Sequence, residues 1–123
     1  HFIKNKKGKV INITGIAARQ GSAGMTAYSA GKAGLARFTQ ALALEWAPYN
    51  ILVNSIAPGA FPDTDLEGKD FLKERTKWAK SNVPLGRIGH LNEVGYLAAY
   101  LISDASNYMT GQTIYLDGGL TYG

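Results

Sequence analysis

With 123 residues the chain is long enough for one small domain and too short for two. A balance of 46% hydrophobic to 18% charged residues is that of a globular chain, and the absence of cysteine excludes disulfides, thiolate nucleophiles and thiolate metal sites. The formal charge of +4 is not gathered into a recognition helix or an aromatic–basic platform, so nucleic acid is not an expected partner. Nor does any stretch approach the roughly 20 apolar residues of a membrane span.

In chain order, His1-Phe2-Ile3-Lys4-Asn5 reads as the tail of a helix entering a turn at Lys7-Gly8, as a fragment would begin. Lys4, Lys6, Lys7 and Lys9 read as a solvated basic turn. Lys9 to Thr14, a β-branched run between glycines, predicts a buried strand. Gly15 to Thr26 is Gly-, Ala- and Ser-rich without periodicity and predicts a loop. Ala27 to Trp46 predicts a helix closed by Pro48 and Asn50. Leu35, Phe38, Leu42 and Trp46 form one apolar set on it and Ala33, Ala36, Ala43 and Ala47 another, as in a helix packed between a sheet and a second subunit.

Ile51 to Ile56 predicts a second buried strand, ending at Ala57-Pro58-Gly59. Phe61 to Pro84 is a mixed excursion with a helical piece over Asp70 to Lys80. Asn92 is the expected cap of a helix reaching Ile102. Thr113 to Leu116 predicts a third strand before Asp117-Gly118-Gly119. The order β-α-β-α-β, with crossovers long enough for parallel pairing, predicts an α/β fold with a parallel sheet covered on both faces.

The chemistry centres on Tyr28-Ser29-Ala30-Gly31-Lys32. Residues four apart on a helix share a face. A phenol ordinarily holds its proton to about pH 10, and a nearby ammonium favours the phenolate. The pair is therefore a candidate general acid/base with its tuning cation. His1 and His90 stand as surface residues without metal-ligand spacing. Asp63, Asp65 and Glu67 read as a solvated acidic loop rather than a divalent-ion site, and Trp46 and Trp78 as packing anchors.

The Tyr-x-x-x-Lys helix is followed by Asn54-Ser55-Ile56-Ala57-Pro58-Gly59, then Pro84-Leu85-Gly86-Arg87-Ile88-Gly89, Thr110-Gly111-Gln112 and Asp117-Gly118-Gly119. In this order and over Gly8 to Gly119, the chain resembles the C-terminal half of the short-chain dehydrogenase/reductase family. The resemblance implies the C-terminal half of a Rossmann-type doubly wound parallel sheet. It also implies an NAD(P)-dependent oxidoreductase interconverting a carbonyl and an alcohol. Tyr28 would be the catalytic acid/base and Lys32 its tuner and the ligand of the nicotinamide ribose. Pro58, Gly59, Ala60 and Phe61 would approach the nicotinamide, with Thr64 as the carboxamide ligand, one residue later than the family pattern. Thr14, Gly15, Met25 and Phe61 would border the substrate, and Phe71 and Trp78 would line a pocket under a variable lid.

Two departures stand out. The family's catalytic serine precedes its tyrosine by thirteen positions, which falls on Gly15. Thr14 or Ser22 could supply the hydroxyl, water or the substrate could take its place, or the chain could be a non-catalytic binding or assembly subunit. Second, no Gly-rich phosphate loop follows a strand here. The resemblance therefore implies a missing N-terminal half that sets NAD against NADP. It further implies a small-molecule substrate, that half as partner, and dimers or tetramers through the Ala27–Trp46 helix. The lack of cysteine, and of any signal-peptide pattern, sets a cytoplasmic location as the expectation.

Overall fold

The computed structural model describes residues 1–62 and 69–122, and of Lys69 the backbone only. The β-branched runs become three strands, β1 (Gly8–Ile13), β2 (Ile51–Pro58) and β3 (Thr113–Leu116). The helices are α1 (Phe2–Asn5), α2 (Thr26–Trp46), α3 (Lys69–Asn82) and α4 (Leu91–Ile102). The strands pair in the order β1-β2-β3 and all run parallel. Gly8 lies opposite Ile51 and Ile13 opposite Ile56, while Ser55 faces Thr113 and Pro58 faces Leu116. This is the α/β arrangement that the element order predicts.

The central strand carries the core. Ile51, Val53, Ile56 and Ala57 of β2 are fully buried, and each such Ile or Val contributes about 1.5–3 kcal/mol over an exposed position. β2 runs two residues beyond the expected Ile56, because Ala57 and Pro58 still pair with Tyr115 and Leu116. Proline, lacking only an N–H, is tolerated at a strand end. β1 stops at Ile13 rather than Thr14, although the Thr14 N–H still donates to the Ile56 carbonyl at 2.8 Å.

α2 presents a different stripe from the one its sequence suggests. Thr39 and Ala43 are buried, and Leu42 and Trp46, with Val10 of β1, pack against the cluster of Ala43, Ile51 and Val53, whereas Phe38 is 55% exposed. A threonine fits this stripe because its hydroxyl donates to the Leu35 carbonyl at 2.9 Å and accepts from Asn12 of β1 at 2.9 Å. The helix closes through Ala47-Pro48-Tyr49 and a left-handed Asn50.

Two further expectations are corrected. Asn92 does not cap α4: it lies inside the first turn, where its amide donates to the Tyr96 hydroxyl at 3.3 Å. The Glu93 carboxylate instead accepts the His90 backbone N–H at 2.7 Å and is gripped by Arg87 at 2.7 and 2.9 Å. Lys9 is no solvated lysine. Its ammonium donates to the Ser103 carbonyl and, at 2.9 Å, to the buried Ser106 hydroxyl, tying β1 to the turn after α4.

Candidate active site

Parallel register brings the C-terminal ends of β1, β2 and β3 to one edge of the sheet, the edge where α/β folds hold ligands. The chain leaves β1 through Thr14-Gly15 and a single turn of 3-10 helix, Ile16–Ala18, and returns to the same edge as the start of α2. Tyr28 and Lys32 occupy the first two turns of α2. Their spacing places both on the face beside β1.

The Lys32 ammonium donates to the Ile13 carbonyl at 3.1 Å and lies 5.5 Å from the centre of the Tyr28 ring. One of its three N–H donors is thus spent on the end of β1, and the others remain for a ligand. Tyr28 is 49% exposed, and its hydroxyl makes no hydrogen bond among the described residues. Gly15 closes the arrangement. A Cβ built on it would lie 3.6 Å from the Tyr28 hydroxyl oxygen and 3.9 Å from the Pro58 carbonyl oxygen. Tyr28, Lys32, Gly15 and Pro58, separated in the chain, therefore converge.

Thr14 does not join them. It is 2% exposed and its hydroxyl donates to the Ile56 carbonyl at 3.1 Å, so no group of Thr14 replaces a hydroxyl at position 15. Consecutive residues of an extended chain point to opposite sides. Met25 is the residue before α2, 43% exposed, its carbonyl accepting the Ser29 N–H at 2.8 Å. Ser22 is likewise exposed on the preceding loop.

Gly59 is required by a close approach. A Cβ there would fall 2.7 Å from the Cα of Asp117. The Gly59 N–H donates to the Leu116 carbonyl at 3.0 Å, so the turns after β2 and β3 lie back to back. Burial on its own pushes the Asp117 carboxyl up. The Thr121 hydroxyl at 2.7 Å and the backbone N–H groups of Gly119 at 2.9 Å and Thr121 at 3.0 Å outweigh it and hold the group below its ordinary value.

Beside this edge lies an apolar cavity of about 390 Å³. Ile16, Gly59, Ala60 and Leu120 form one part of its wall, and Phe71, Trp78, Glu74 and Arg75 of α3 the other. Phe71 and Trp78 stand where the resemblance puts pocket residues. The Phe61 side chain does not: its ring packs on Gly89, where a Cβ would come within 2.3 Å of it, and it borders a separate hollow beside Arg87 and Glu93. The Ala60 carbonyl is already committed, accepting the Gly89 N–H at 2.8 Å. Thr64, like Asp63, Asp65 and Glu67, lies outside the described residues. Among the described residues no group of three or more His, Asp or Glu side chains could hold a metal ion.

Two contributors to the site had no signal in the sequence, and one long-range contact outside it had none either. The Ile13 carbonyl that fixes Lys32 is backbone, and Ile16 is an ordinary loop residue until the fold sets it beside Gly59. Arg19 reaches across the chain, donating to the Tyr122 hydroxyl at 2.6 Å with its guanidinium 4.2 Å from that ring and 5.5 Å from the Tyr115 ring. Conversely, several motif residues serve to lock strands together. Asn54 donates to the Met109 carbonyl at 2.8 Å and accepts the Gln112 N–H at 3.0 Å, and the Ser55 and Thr113 hydroxyls meet at 2.8 Å.

Residues 1–121 match the protein family described as Enoyl-(Acyl carrier protein) reductase. The chain is 49% identical over 124 aligned residues to the 3-oxoacyl-(acyl-carrier-protein) reductase of Chlamydia pneumoniae, covering 99% of this chain and 48% of that protein. The corresponding reductase of Aquifex aeolicus is 41% identical over 120 residues, with 97% of this chain and 47% of that one covered. Among solved structures, a gluconate 5-dehydrogenase from Burkholderia cenocepacia, in complex with NADP and tartrate, superimposes with a TM-score of 0.88 at 33% identity. That match covers 100% of this chain and 48% of the other. The chain thus spans about half the length of the curated relatives it matches.

Proposed function

Because the chain belongs to the short-chain dehydrogenase/reductase family, we propose that it is the C-terminal, catalytic half of a single Rossmann-type domain. In the complete protein this domain interconverts a carbonyl and an alcohol with NAD or NADP. The observation that carries the reading is the Lys32 ammonium, tethered to the Ile13 carbonyl beside the Tyr28 ring, with the half-exposed tyrosine hydroxyl unpartnered among the described residues.

The donor set fits a nicotinamide ribose. Lys32 keeps two N–H donors for hydroxyl oxygens, and the Tyr28 hydroxyl can donate or accept. Pro58, Gly59 and the main chain of Ala60 and Phe61 would border the ring, with Thr64 near its carboxamide. When bound, the cofactor supplies the hydride in reduction and takes it in oxidation. In reduction Tyr28 gives its proton to the substrate oxygen and is reprotonated from solvent; in oxidation it takes the proton of the alcohol. Lys32 would hold the ribose through its two remaining donors. Ile16, Phe71 and Trp78 would bind the apolar part of the substrate.

The rest of the cofactor site would come from an N-terminal half, and a second copy would cover the exposed side of α2, where Phe38 and Leu44 are 55% and 78% exposed. A cytoplasmic location belongs to the same proposal. The relatives named above are reductases or a dehydrogenase, so the non-catalytic reading has no observation in its favour. The test is Tyr28→Phe in the complete protein. Turnover should fall by about 10²–10⁴-fold, the usual contribution of a positioned acid/base, while cofactor binding measured by fluorescence persists. Undiminished turnover would refute the assignment.

A further inference from the structure

We propose that Gly15 makes the site selective for carbonyl compounds bearing a hydroxyl on the carbon next to the reacting one, and correspondingly for vicinal diols in the oxidative direction. The inference rests on the oxidoreductase reading above and adds a substrate class to it.

Gly15 is buried, with φ 157 and ψ 167, and the absence of a side chain leaves a small hollow where a Cβ would stand at ordinary contact distance from its neighbours. Apart from Gly15 and its chain neighbours, the Tyr28 hydroxyl oxygen and the Pro58 carbonyl oxygen are the described atoms within 4 Å of the Cβ position. Both are polar. The Gly15 carbonyl is already engaged, accepting the Ala18 N–H at 3.0 Å. Thr14, the nearest hydroxyl in the chain, is turned away onto Ile56.

The chemistry of the two walls selects what enters. A phenol hydroxyl can donate or accept, whereas a carbonyl oxygen only accepts. The complementary group is therefore an O–H that donates to Pro58 and lies within reach of Tyr28. The reacting carbonyl oxygen has no proton to donate and cannot play this part. A hydroxyl one carbon away can, with the reacting oxygen still on Tyr28. Water has the same chemistry, but a hydroxyl carried by the bound substrate arrives already localised, while a free water must be immobilised on two partners. A substrate lacking the hydroxyl leaves the hollow to an apolar group facing unpaired oxygens, and should be turned over at least about tenfold less efficiently.

The test compares 2,3-butanediol with 2-butanol, 1,2-hexanediol with 2-hexanol, and 1,2-octanediol with 2-octanol. It uses the complete protein with NAD and NADP, reading kcat/KM for each pair. Wild type should prefer the diol by at least about tenfold. Gly15→Ser should collapse that ratio by raising turnover of the mono-alcohol, since it restores a hydroxyl in the hollow. Gly15→Ala fills the hollow without a hydroxyl and should lose diol turnover with no gain on the mono-alcohol. A wild-type ratio near one overturns the inference, as does a Gly15→Ser gain of equal size on both members of a pair, which would assign the hollow to water. If the backbone angles at position 15 keep both variants from folding, as unfolding midpoints would reveal, the wild-type ratio decides alone. Wild type indistinguishable from Tyr28→Phe on every pair would instead sink the oxidoreductase reading itself.

Discussion

Lys32 donates to the main-chain carbonyl of Ile13, 3.1 Å away and nineteen residues earlier in the chain. A lysine side chain has considerable freedom, and this bond spends one donor to hold the ammonium at the end of β1, beside the Tyr28 ring. The last peptide of a strand thus orients the cation of a helix. The acceptor is backbone, so a substitution at Ile13 leaves it in place and the lysine end of the pair is the one to vary.

Replacing Lys32 with Met keeps the length of the side chain and removes its charge and donors. In the complete protein we expect kcat/KM to fall by about two orders of magnitude or more, with weaker cofactor binding as well. Lys32→Arg should recover less than full activity, because a planar guanidinium does not fit the place of a compact ammonium. Steady-state kinetics with cofactor titration checks both, and equal cofactor affinity in wild type and Lys32→Met would count against a ribose contact.

Gly59→Ala and Gly89→Ala should differ in cost. At Gly59 the new methyl meets the Asp117 backbone at 2.7 Å, whereas at Gly89 it meets the Phe61 ring, a side chain that can turn aside. Forcing the former apart should cost about 1–3 kcal/mol, with the latter cheaper. Denaturant unfolding of the two variants gives the comparison directly.

Asn54→Ala leaves both the Met109 carbonyl and the Gln112 N–H without their side-chain partner at a 3% exposed position. Both bonds are half-buried, so losing the two together should cost on the order of 1–3 kcal/mol. A lowered unfolding midpoint is expected, with activity lost only as the fold is lost; a variant as stable as wild type would deny Asn54 its locking role.

Acid should loosen the start of α4. The Arg87 guanidinium, followed by the His90 backbone N–H, lowers the Glu93 carboxyl from 4.5 to about 2. A folded-state value below the unfolded one means that the contribution is full above about pH 4.5 and disappears as pH falls toward 2. Asp117, also lowered, adds to the same slope. Stability measured between pH 7 and pH 3 should therefore decline, and less steeply in Glu93→Gln. An unchanged slope in that variant would remove Glu93 from the account.

Sequence alone determined the local features: three strands from β-branched runs between turn residues, α2 within one residue, and Tyr28 and Lys32 on a shared face. These follow from backbone preference and from periods of two and of about 3.6 residues, information held within a few neighbouring positions. The family resemblance also singled out Gly15. What only the tertiary structure decided were contacts between distant segments. It turned the Thr14 hydroxyl onto Ile56, packed Phe61 on Gly89, set Lys9 on Ser106 and aimed the empty side of Gly15 at Tyr28. The Glu93 cap was nearer to hand, three residues from His90 in capping-box spacing, and the Arg87 grip across the turn adds to it. Which of two adjacent side chains faces a site depends on how strands and turns meet across the sheet, and no period along the chain encodes that meeting.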